Sequence, residues 1–247
     1  MAFQIQYLGW VAFEFITDQG TRIVMDPLLS GRPADGISPS PVPIEKMYDA
    51  DFVMITHGAG DHVGQAFEIL ENSEAILICD VATRHLAIEK GISEDRIYYM
   101  LSGVEYKLKD ITVKALPAKH ISLIKMDQGF VNGQPLSYII GTASGEKIFF
   151  GGDTSIHSDF KLYGELYGPQ FAILGVGGVD IHGQSLIELH PDEAALAAKW
   201  LGVQKAVPIH YRFDEGERFI EELKKKAPEI EGLLMKPGDR YTFQLDA

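Results

Sequence analysis

The sequence predicts an α/β protein in which two mixed β-sheets pack face to face, with helices on the outer faces, giving a four-layer αββα sandwich. Strand-like apolar runs recur along the whole chain. From residue 63 onward, helical patterns rich in Ala, Leu, Glu and Lys are interleaved with these runs. Helices in those positions would cover the side of each sheet that faces away from the other sheet.

The N-terminal part is predicted to be a meander of β-hairpins. A polar, glycine-containing turn, "TDQGTR", separates two of its strand-like runs, and "TASGEK" does the same later in the chain. The strand-like runs lie at residues 3–9, 11–17, 22–26, 51–56, 75–79, 106–116, 136–142, 146–153, 171–178 and 205–210. The helical patterns lie at residues 63–72, 81–90, 190–202 and 215–227.

One long loop is predicted at residues 30–45, which are rich in Pro, Gly and Ser. A loop of this length either covers a functional site or is a passive excursion of the surface, and the sequence leaves both interpretations open.

Length and composition indicate a single domain over residues 1–247, because 247 residues of which 46% are hydrophobic can bury a sizeable core. The formal charge of −13 argues against a nucleic-acid partner. No segment is long and apolar enough to span a membrane. The single cysteine, Cys79, rules out an internal disulfide, and the opening residues do not resemble a signal peptide, so we expect a cytoplasmic protein.

Residues of types that commonly bind metal ions follow several of the predicted strands. His57, His120, Asp153 and His210 each come directly or closely after an apolar run. Strand ends can lie close together in space although they are far apart in sequence. Imidazole nitrogen and carboxylate oxygen are ligands suited to Zn²⁺, with Mn²⁺ and Fe²⁺ as alternatives. The pattern therefore predicts a metal centre at the strand ends.

Two further ligand candidates, Asp61 and His62, lie in the same loop as His57. We expect the glycines at positions 58 and 60 to give this loop backbone angles that other residues resist, so that several side chains point at one ion.

The stretch "THGAGDH" resembles the T-H-x-H-x-D-H signature of the metallo-β-lactamase superfamily. His120, Asp153 and His210 lie where that family supplies its later ligands, and "RIVMDPLLSG" resembles the segment that carries its early aspartate, here Asp26. The segments "YLGWVAFEF" and "HPDEAALAAKWLGVQKAVPIHY" are most similar to the branch that contains L-ascorbate-6-phosphate lactonase and related metal-dependent hydrolases. The resemblance implies the αββα fold and one or two metal ions, and it suggests a homo-oligomer. It also indicates that Asp26 orients a metal-bound histidine.

Ala59 departs from the signature, which has a metal-binding histidine at this position. By the same resemblance, the first metal position keeps His57, His120 and a bridging Asp153. The second position has Asp61, His62, His210 and the same Asp153.

Three interpretations of Ala59 stay open. The site binds two ions with one position weakened, or it binds a single ion through the second set of ligands, or a histidine from elsewhere compensates. His182 and His190 are the candidates for compensation. His190 also suits the start of a helix, because Pro191 and two acidic residues follow it.

The chemistry expected of such a site is hydrolysis of an ester, lactone or phosphoester of a small anionic molecule by a metal-activated water. Asp61 and His190 are predicted as catalytic residues, and Arg212, Lys119 and His182 as substrate-binding residues. The alternative is a non-catalytic scaffold that has lost its chemistry and binds a ligand or partner. A nuclease is disfavoured by the net charge and by the lack of a basic patch interleaved with aromatic residues.

Overall fold

Two seven-stranded mixed sheets form the centre of the molecule. The computed structural model describes residues 3–127, 129–177, 180–181, 185–186 and 188–243. In spatial order, the strands of the first sheet are β18 (Arg240–Phe243), β1 (Phe3–Gly9), β2 (Ala12–Ile16), β3 (Arg22–Met25), β4 (Phe52–Met54), β5 (Ile76–Cys79) and β6 (Ile97–Tyr99). Strands β1 to β3 are an antiparallel meander and β3 to β6 are parallel, which confirms the predicted hairpins at the N-terminal end.

The second sheet follows the same plan in reverse. Its strands, in spatial order, are β17 (Glu231–Gly232), β16 (Lys205–Ile209), β13 (Phe171–Gly175), β12 (Lys147–Phe150), β11 (Leu136–Thr142), β8 (Ile111–Pro117) and β7 (Glu105–Leu108). Strands β17 to β12 are parallel and β12 to β7 are antiparallel. Two small hairpins stand apart, formed by β9 (Ser122–Met126) with β10 (Gly129–Gly133) and by β14 (Asp180–Ile181) with β15 (Ser185–Leu186).

The α-helices lie on the outside of both sheets. They are α1 (Gly60–Val63), α2 (Ala66–Glu71), α3 (Val81–Glu89), α4 (Asp159–Tyr167), α5 (Pro191–Leu201) and α6 (Glu215–Lys226). Short 3₁₀ turns lie at Pro33–Asp35, Ile44–Met47 and Glu94–Arg96. Within the described ranges, no helix combines the length and the apolar character needed to cross a bilayer.

The packing of the layers follows from the alternation of side chains along each strand. In β4, Phe52 and Met54 point into the core between the two sheets, whereas Val53 points outward into a cluster with α2 and α3. In the second sheet, Phe150 lies in the inter-sheet core and Phe149 packs outward against α4 to α6. These three apolar layers confirm the predicted αββα fold.

Helix α4 was not among the predicted helices, because "DFKLYGELY" has two tyrosines and a glycine and so a weak helical propensity. Tertiary packing compensates for this weakness. Phe160 and Tyr163 are buried against the sheet, and a side-chain carbon on Gly164 would lie 2.5 Å from the carbonyl oxygen of Trp200. Glycine at this position therefore lets α4 approach α5 closely.

Candidate metal centre

The ends of strands from both sheets lie together at one edge of the sandwich, and the predicted ligands follow them. His57 comes after β4, His120 after β8, Asp153 after β12 and His210 after β16. Together these ends border a cavity of about 150 Å³, which we call the metal pocket. The residues that line it are His57, Ala59, Asp61, His120, Ile121, Leu123, Asp153, Glu188 and His210.

Asp153 is the centre of the ligand cluster. Its Oδ2 atom lies 3.2 Å from Nε2 of His62, 3.4 Å from Nε2 of His210, 3.8 Å from Nε2 of His120 and 3.9 Å from Nε2 of His57. The structure therefore places all four predicted histidines around one carboxylate.

Asp61 completes one side of the pocket. Its Oδ2 atom lies 3.3 Å from Nε2 of His210 and 4.0 Å from Nε2 of His62. Three overlapping groups of side chains have ligand atoms within 4.8 Å of one another, a spacing that suits a metal ion. They are His57, His62 and Asp153; Asp61, His62 and His210; and His120, Asp153 and Glu188.

Hydrogen bonds behind the pocket orient two of the histidines. Asp26 accepts hydrogen bonds from the backbone N–H of Thr56 at 2.8 Å and from its hydroxyl at 2.7 Å. Nδ1 of His62 lies 2.8 Å from the same carboxylate and Nδ1 of His57 lies 3.2 Å from the Thr56 hydroxyl. With the Nδ1 atoms engaged behind the pocket, Nε2 of His57 and of His62 faces the pocket as the metal-binding atom.

Trp10 supports the side of the metal pocket that is formed by Asp61 and His210. Its indole N–H donates a hydrogen bond to Oδ2 of Asp61 at 3.1 Å, and its ring centroid lies 4.3 Å from that of His210. The backbone N–H of His210 also donates to the carbonyl oxygen of Trp10. One aromatic residue thus positions two predicted ligands.

Backbone strain is concentrated at this site. Four non-glycine residues in the described ranges have positive φ, and three of them, Trp10 at 51°, Asp26 at 41° and His210 at 65°, belong to the pocket or its supports. Such conformations are uncommon and cost energy, and they persist where the surrounding structure holds them in place.

The histidines differ in their protonation. Burial lowers the pKa of His57 well below its ordinary value, and the neighbouring His62 lowers it further. Burial alone would lower the pKa of His62, but the carboxylates of Asp153 and Asp26 outweigh this effect and raise it well above the ordinary value. His57 is therefore neutral at pH 7, whereas a proton on His62 must be displaced before its Nε2 binds a metal.

The carboxylates also differ. Burial would raise the pKa of Asp61, but the hydrogen bond from His210 and the charge of His62 hold it far below its usual range. Asp153 is held low in the same way by His210 and His62. Burial and the neighbouring charge of Asp153 raise the pKa of Glu188 to about 10. A carboxylate as weakly basic as Asp61 is suited to bind an ion and poorly suited to accept a proton.

The two glycines of the loop have a different role from the predicted one. Neither Gly58 nor Gly60 is among the residues with positive φ. A side-chain carbon on Gly58 would lie 2.2 Å from Ile124, and one on Gly60 would lie 2.7 Å from the guanidinium of Arg32. The expectation of unusual backbone angles was wrong; close packing against the buried Ile124 explains Gly58, whereas Arg32 could move away from a side chain at position 60.

The other residues predicted as catalytic or substrate-binding do not line the metal pocket where the structure describes them. His190 is exposed at the N-cap of α5, where its backbone N–H donates to Glu193, and it does not line the metal pocket. Lys119 is exposed, and its backbone N–H donates to Thr154. Arg212 is exposed, with its guanidinium 5.8 Å from the Trp10 ring centroid. His182 lies outside the described residues.

Sequence reasoning missed three residues. Glu188 lines the pocket, and its side chain is buried. Trp10 positions two ligands, and its place in a segment that resembles the family was the signal available. Arg32, from the long loop at residues 30–45, reaches to 4.0 Å from Oδ1 of Asp61. No pattern distinguishes Glu188 from the other acidic residues, because it precedes a helix and does not directly follow one of the predicted strands.

Comparison with known proteins agrees with this geometry. Residues 21–211 match the beta-lactamase superfamily domain. The chain belongs to this superfamily. A UPF0173 metal-dependent hydrolase of Methanopyrus kandleri is 33% identical over 244 residues, 96% of this chain and 99% of that protein, which makes the chain a member of the UPF0173 metal-dependent hydrolases. The superfamily resemblance predicted from sequence is confirmed, and the similarity to the lactonase branch stays a prediction.

Solved structures show the same fold. A metallo hydrolase from the archaeon Ignicoccus hospitalis is 26% identical, with a TM-score of 0.81 and full coverage of both chains. An isothiocyanate hydrolase from Delia radicum gut bacteria is 15% identical, with a TM-score of 0.74 and coverage of 97% of this chain and 98% of that one. The second similarity is one of fold alone.

Proposed function

We propose that this UPF0173 protein hydrolyses an ester, lactone or phosphoester bond in a small anionic molecule, with one or two divalent ions held in the metal pocket. The observation that carries this proposal is the convergence of His57, His62, His120 and His210 on Asp153. Nε2 of His57 is buried and has no hydrogen-bond partner among the residues that the structure describes. Buried polar atoms normally have partners, so a cation is the natural occupant.

The donor set fits Zn²⁺, which takes imidazole and carboxylate ligands and at catalytic sites leaves a position open. Mn²⁺ and Fe²⁺ are the alternatives. Bound there, a divalent ion would supply an activated water and polarise a carbonyl or phosphoryl oxygen. Asp61, which is ionised and fixed by Trp10 and His210, would orient the reacting groups and would not act as the general base.

The side chains around the metal pocket favour an anionic substrate with an apolar portion. The guanidinium of Arg32 lies 4.0 Å from the pocket residue Asp61, and that of Arg212 lies 5.8 Å from the ring of Trp10, which holds Asp61, so two positive charges lie near the pocket of a chain whose net charge is −13. Ile121 and Leu123, 62% and 49% exposed, form an apolar wall on the β9 side. Because the cavity is smaller than the roughly 300 Å³ of a typical ligand site, only the reacting group would enter it.

The test begins with elemental analysis of protein purified without added metal, followed by assays on lactone and phosphodiester probes with Zn²⁺, Mn²⁺ or Fe²⁺. We expect bound metal, turnover with at least one probe, and loss of turnover in His62→Ala. The control is His85→Ala, because His85 is an exposed histidine on α3 that does not line the pocket. Full activity of chelated protein would refute the proposal, and bound metal without turnover would favour the non-catalytic scaffold.

A further inference from the structure

Glu188 is the least satisfied polar side chain of the metal pocket. The residue is 2% exposed, and neither of its carboxylate oxygens has a hydrogen-bond partner in the part of the chain that the structure describes. Burial of an unpaired carboxylate is costly, and buried acidic groups are therefore usually paired or bound to a metal. The described residues therefore leave both oxygens of Glu188 in need of a partner.

The surroundings of Glu188 indicate which partner this is. One of its oxygens and the ligand atoms of His120 and Asp153 all lie within 4.8 Å of one another. Metal–ligand bonds to nitrogen and oxygen are about 2.0–2.2 Å long, so two ligand atoms of one ion lie up to about 4.4 Å apart, a limit close to this spacing. Ala59 lines the same cavity and offers no donor atom.

The fold holds Glu188 in this place. The next residue, Leu189, forms a bridge with Val176, and its carbonyl oxygen accepts a hydrogen bond from Gly177 at 2.9 Å. This bridge places Glu188 beside the end of β13, between the strands that lead to Asp153 and His210. A side-chain carbon on Gly175, the last residue of β13, would lie 3.6 Å from Asp153 and 3.8 Å from Glu188.

We propose that Glu188 is a metal ligand, which completes with His57, His120 and Asp153 the ion position that has no donor at Ala59. The inference rests on the proposed function, because it requires an ion in the pocket. Each of the two positions then has two histidines, one carboxylate of its own and a share of Asp153. Because a carboxylate suits harder ions better than an imidazole does, the Glu188 position discriminates less against Mn²⁺ than a position with a histidine at residue 59 would.

An orienting role is the competing explanation. Oε2 of Glu188 lies 3.8 Å from Nδ1 of His210, and carboxylates commonly orient metal-bound histidines. This distance is too long for a hydrogen bond, and Nδ1 of His210 has no partner within the described residues. The geometry thus favours direct binding of an ion.

The experiment counts ions and measures their affinities by elemental analysis and titration calorimetry with Mn²⁺ and Zn²⁺, independently of any substrate. The variants are Glu188→Gln, Ala59→His and the double variant. Glu188→Asp serves as a second probe, because it keeps a carboxylate that is one methylene shorter. Glu215→Gln is the matched control, because Glu215 is buried but accepts a hydrogen bond from the backbone of Phe213 and does not line the pocket.

We expect two ions per chain in the wild type and in Glu215→Gln. In Glu188→Gln the second ion should bind at least about 100-fold more weakly, beyond the roughly 10–100-fold cost of losing an orienting group. Ala59→His should restore it in the double variant, and Glu188→Asp should bind it with intermediate affinity.

If Glu188→Gln weakened the binding of the second ion by less than this, the inference would be overturned and the proposed function would remain in place. The same holds if Ala59→His did not restore the affinity for the second ion in the double variant. A wild-type protein that binds no ion would instead refute the proposed function. Thermal unfolding in chelator, followed by circular dichroism, checks that all variants are folded.

Discussion

The two sides of the metal pocket are held in place to different degrees. On one side, His62 is hydrogen-bonded to Asp26, and Trp10 fixes both Asp61 and His210. On the other side, His57 is held through the hydroxyl of Thr56, but both oxygens of Glu188 have no partner among the described residues and Ala59 has no donor. The first side is preorganised by the polypeptide, whereas the second side needs an ion to satisfy its donors. We therefore expect the first ion to bind tightly at Asp61, His62 and His210 and the second to bind more weakly.

The largest effect is expected from Asp153→Asn, which removes the carboxylate that both sides share. Turnover should fall by at least about 1,000-fold, since a catalytic metal supplies several kcal/mol of transition-state stabilisation and each 1.36 kcal/mol is tenfold in rate. Initial rates and metal content measure the loss. Asp159→Asn is the control and should behave as wild type, because Asp159 is a half-exposed aspartate at the start of α4 that does not line the pocket. If Asp153→Asn still bound two ions, Asp153 would not be a ligand that both ion positions share.

Asp26→Asn tests the preorganised side. Asparagine tolerates the positive φ at this position but cannot supply the negative charge that holds the proton on Nδ1 of His62. We expect the tighter ion to bind about 10–100-fold more weakly. Competition with a chromogenic chelator gives the affinity, and an unchanged affinity would mean that Asp26 does not prepare His62 for metal binding.

The pH dependence of metal binding distinguishes the two sides further. The pKa of His62 is raised, so at neutral pH its proton must leave before a metal binds, whereas the lowered pKa of His57 leaves that ring neutral. Affinity at the His62 side should therefore rise with pH, about tenfold per pH unit for each proton released. Calorimetry in buffers of different ionisation enthalpy counts these protons. If the affinity for the first ion did not change with pH, His62 would already be neutral before the ion binds.

The smallest effect is expected at the rim. Arg32→Ala should raise KM for an anionic substrate by a few-fold and leave kcat nearly unchanged, because exposed ion pairs contribute about 0–1 kcal/mol. Arg218→Ala is the matched control, since Arg218 is an exposed arginine on α6 that pairs with Asp214 and does not line the pocket. Steady-state kinetics gives KM and kcat for both variants. If KM were the same in Arg32→Ala as in the control variant, Arg32 would not take part in substrate binding.

Most of the fold and six residues of the site could be predicted from sequence. The strand-like runs predicted the strands because buried strands such as β4 and β13 are almost wholly apolar. His57, His120, Asp153 and His210 were recognisable because each follows such a run. Helix α4 and the β9–β10 hairpin were not, since their stability comes from packing against the rest of the chain and local propensity contributes little.

The site residues that escaped prediction have no local signal. Glu188 became a candidate only when the bridge between Leu189 and Val176 placed it beside Asp153. Arg32 reaches Asp61 from a loop whose course no periodicity describes. His190 fitted a helix start and a catalytic role equally well on sequence, and the structure places it at the helix start, away from the pocket.

The sequence by itself determined the layered architecture, the family and the chemistry of the ligands, because hydrophobic periodicity and residue type are local properties. Tertiary structure alone decided which acidic residue lines the metal pocket with Ala59 and which aromatic residue holds Asp61 and His210. These choices depend on contacts between separate segments, such as Trp10 and Asp61, which are 51 residues apart. Burial turns such contacts into strong constraints by removing water as an alternative hydrogen-bond partner.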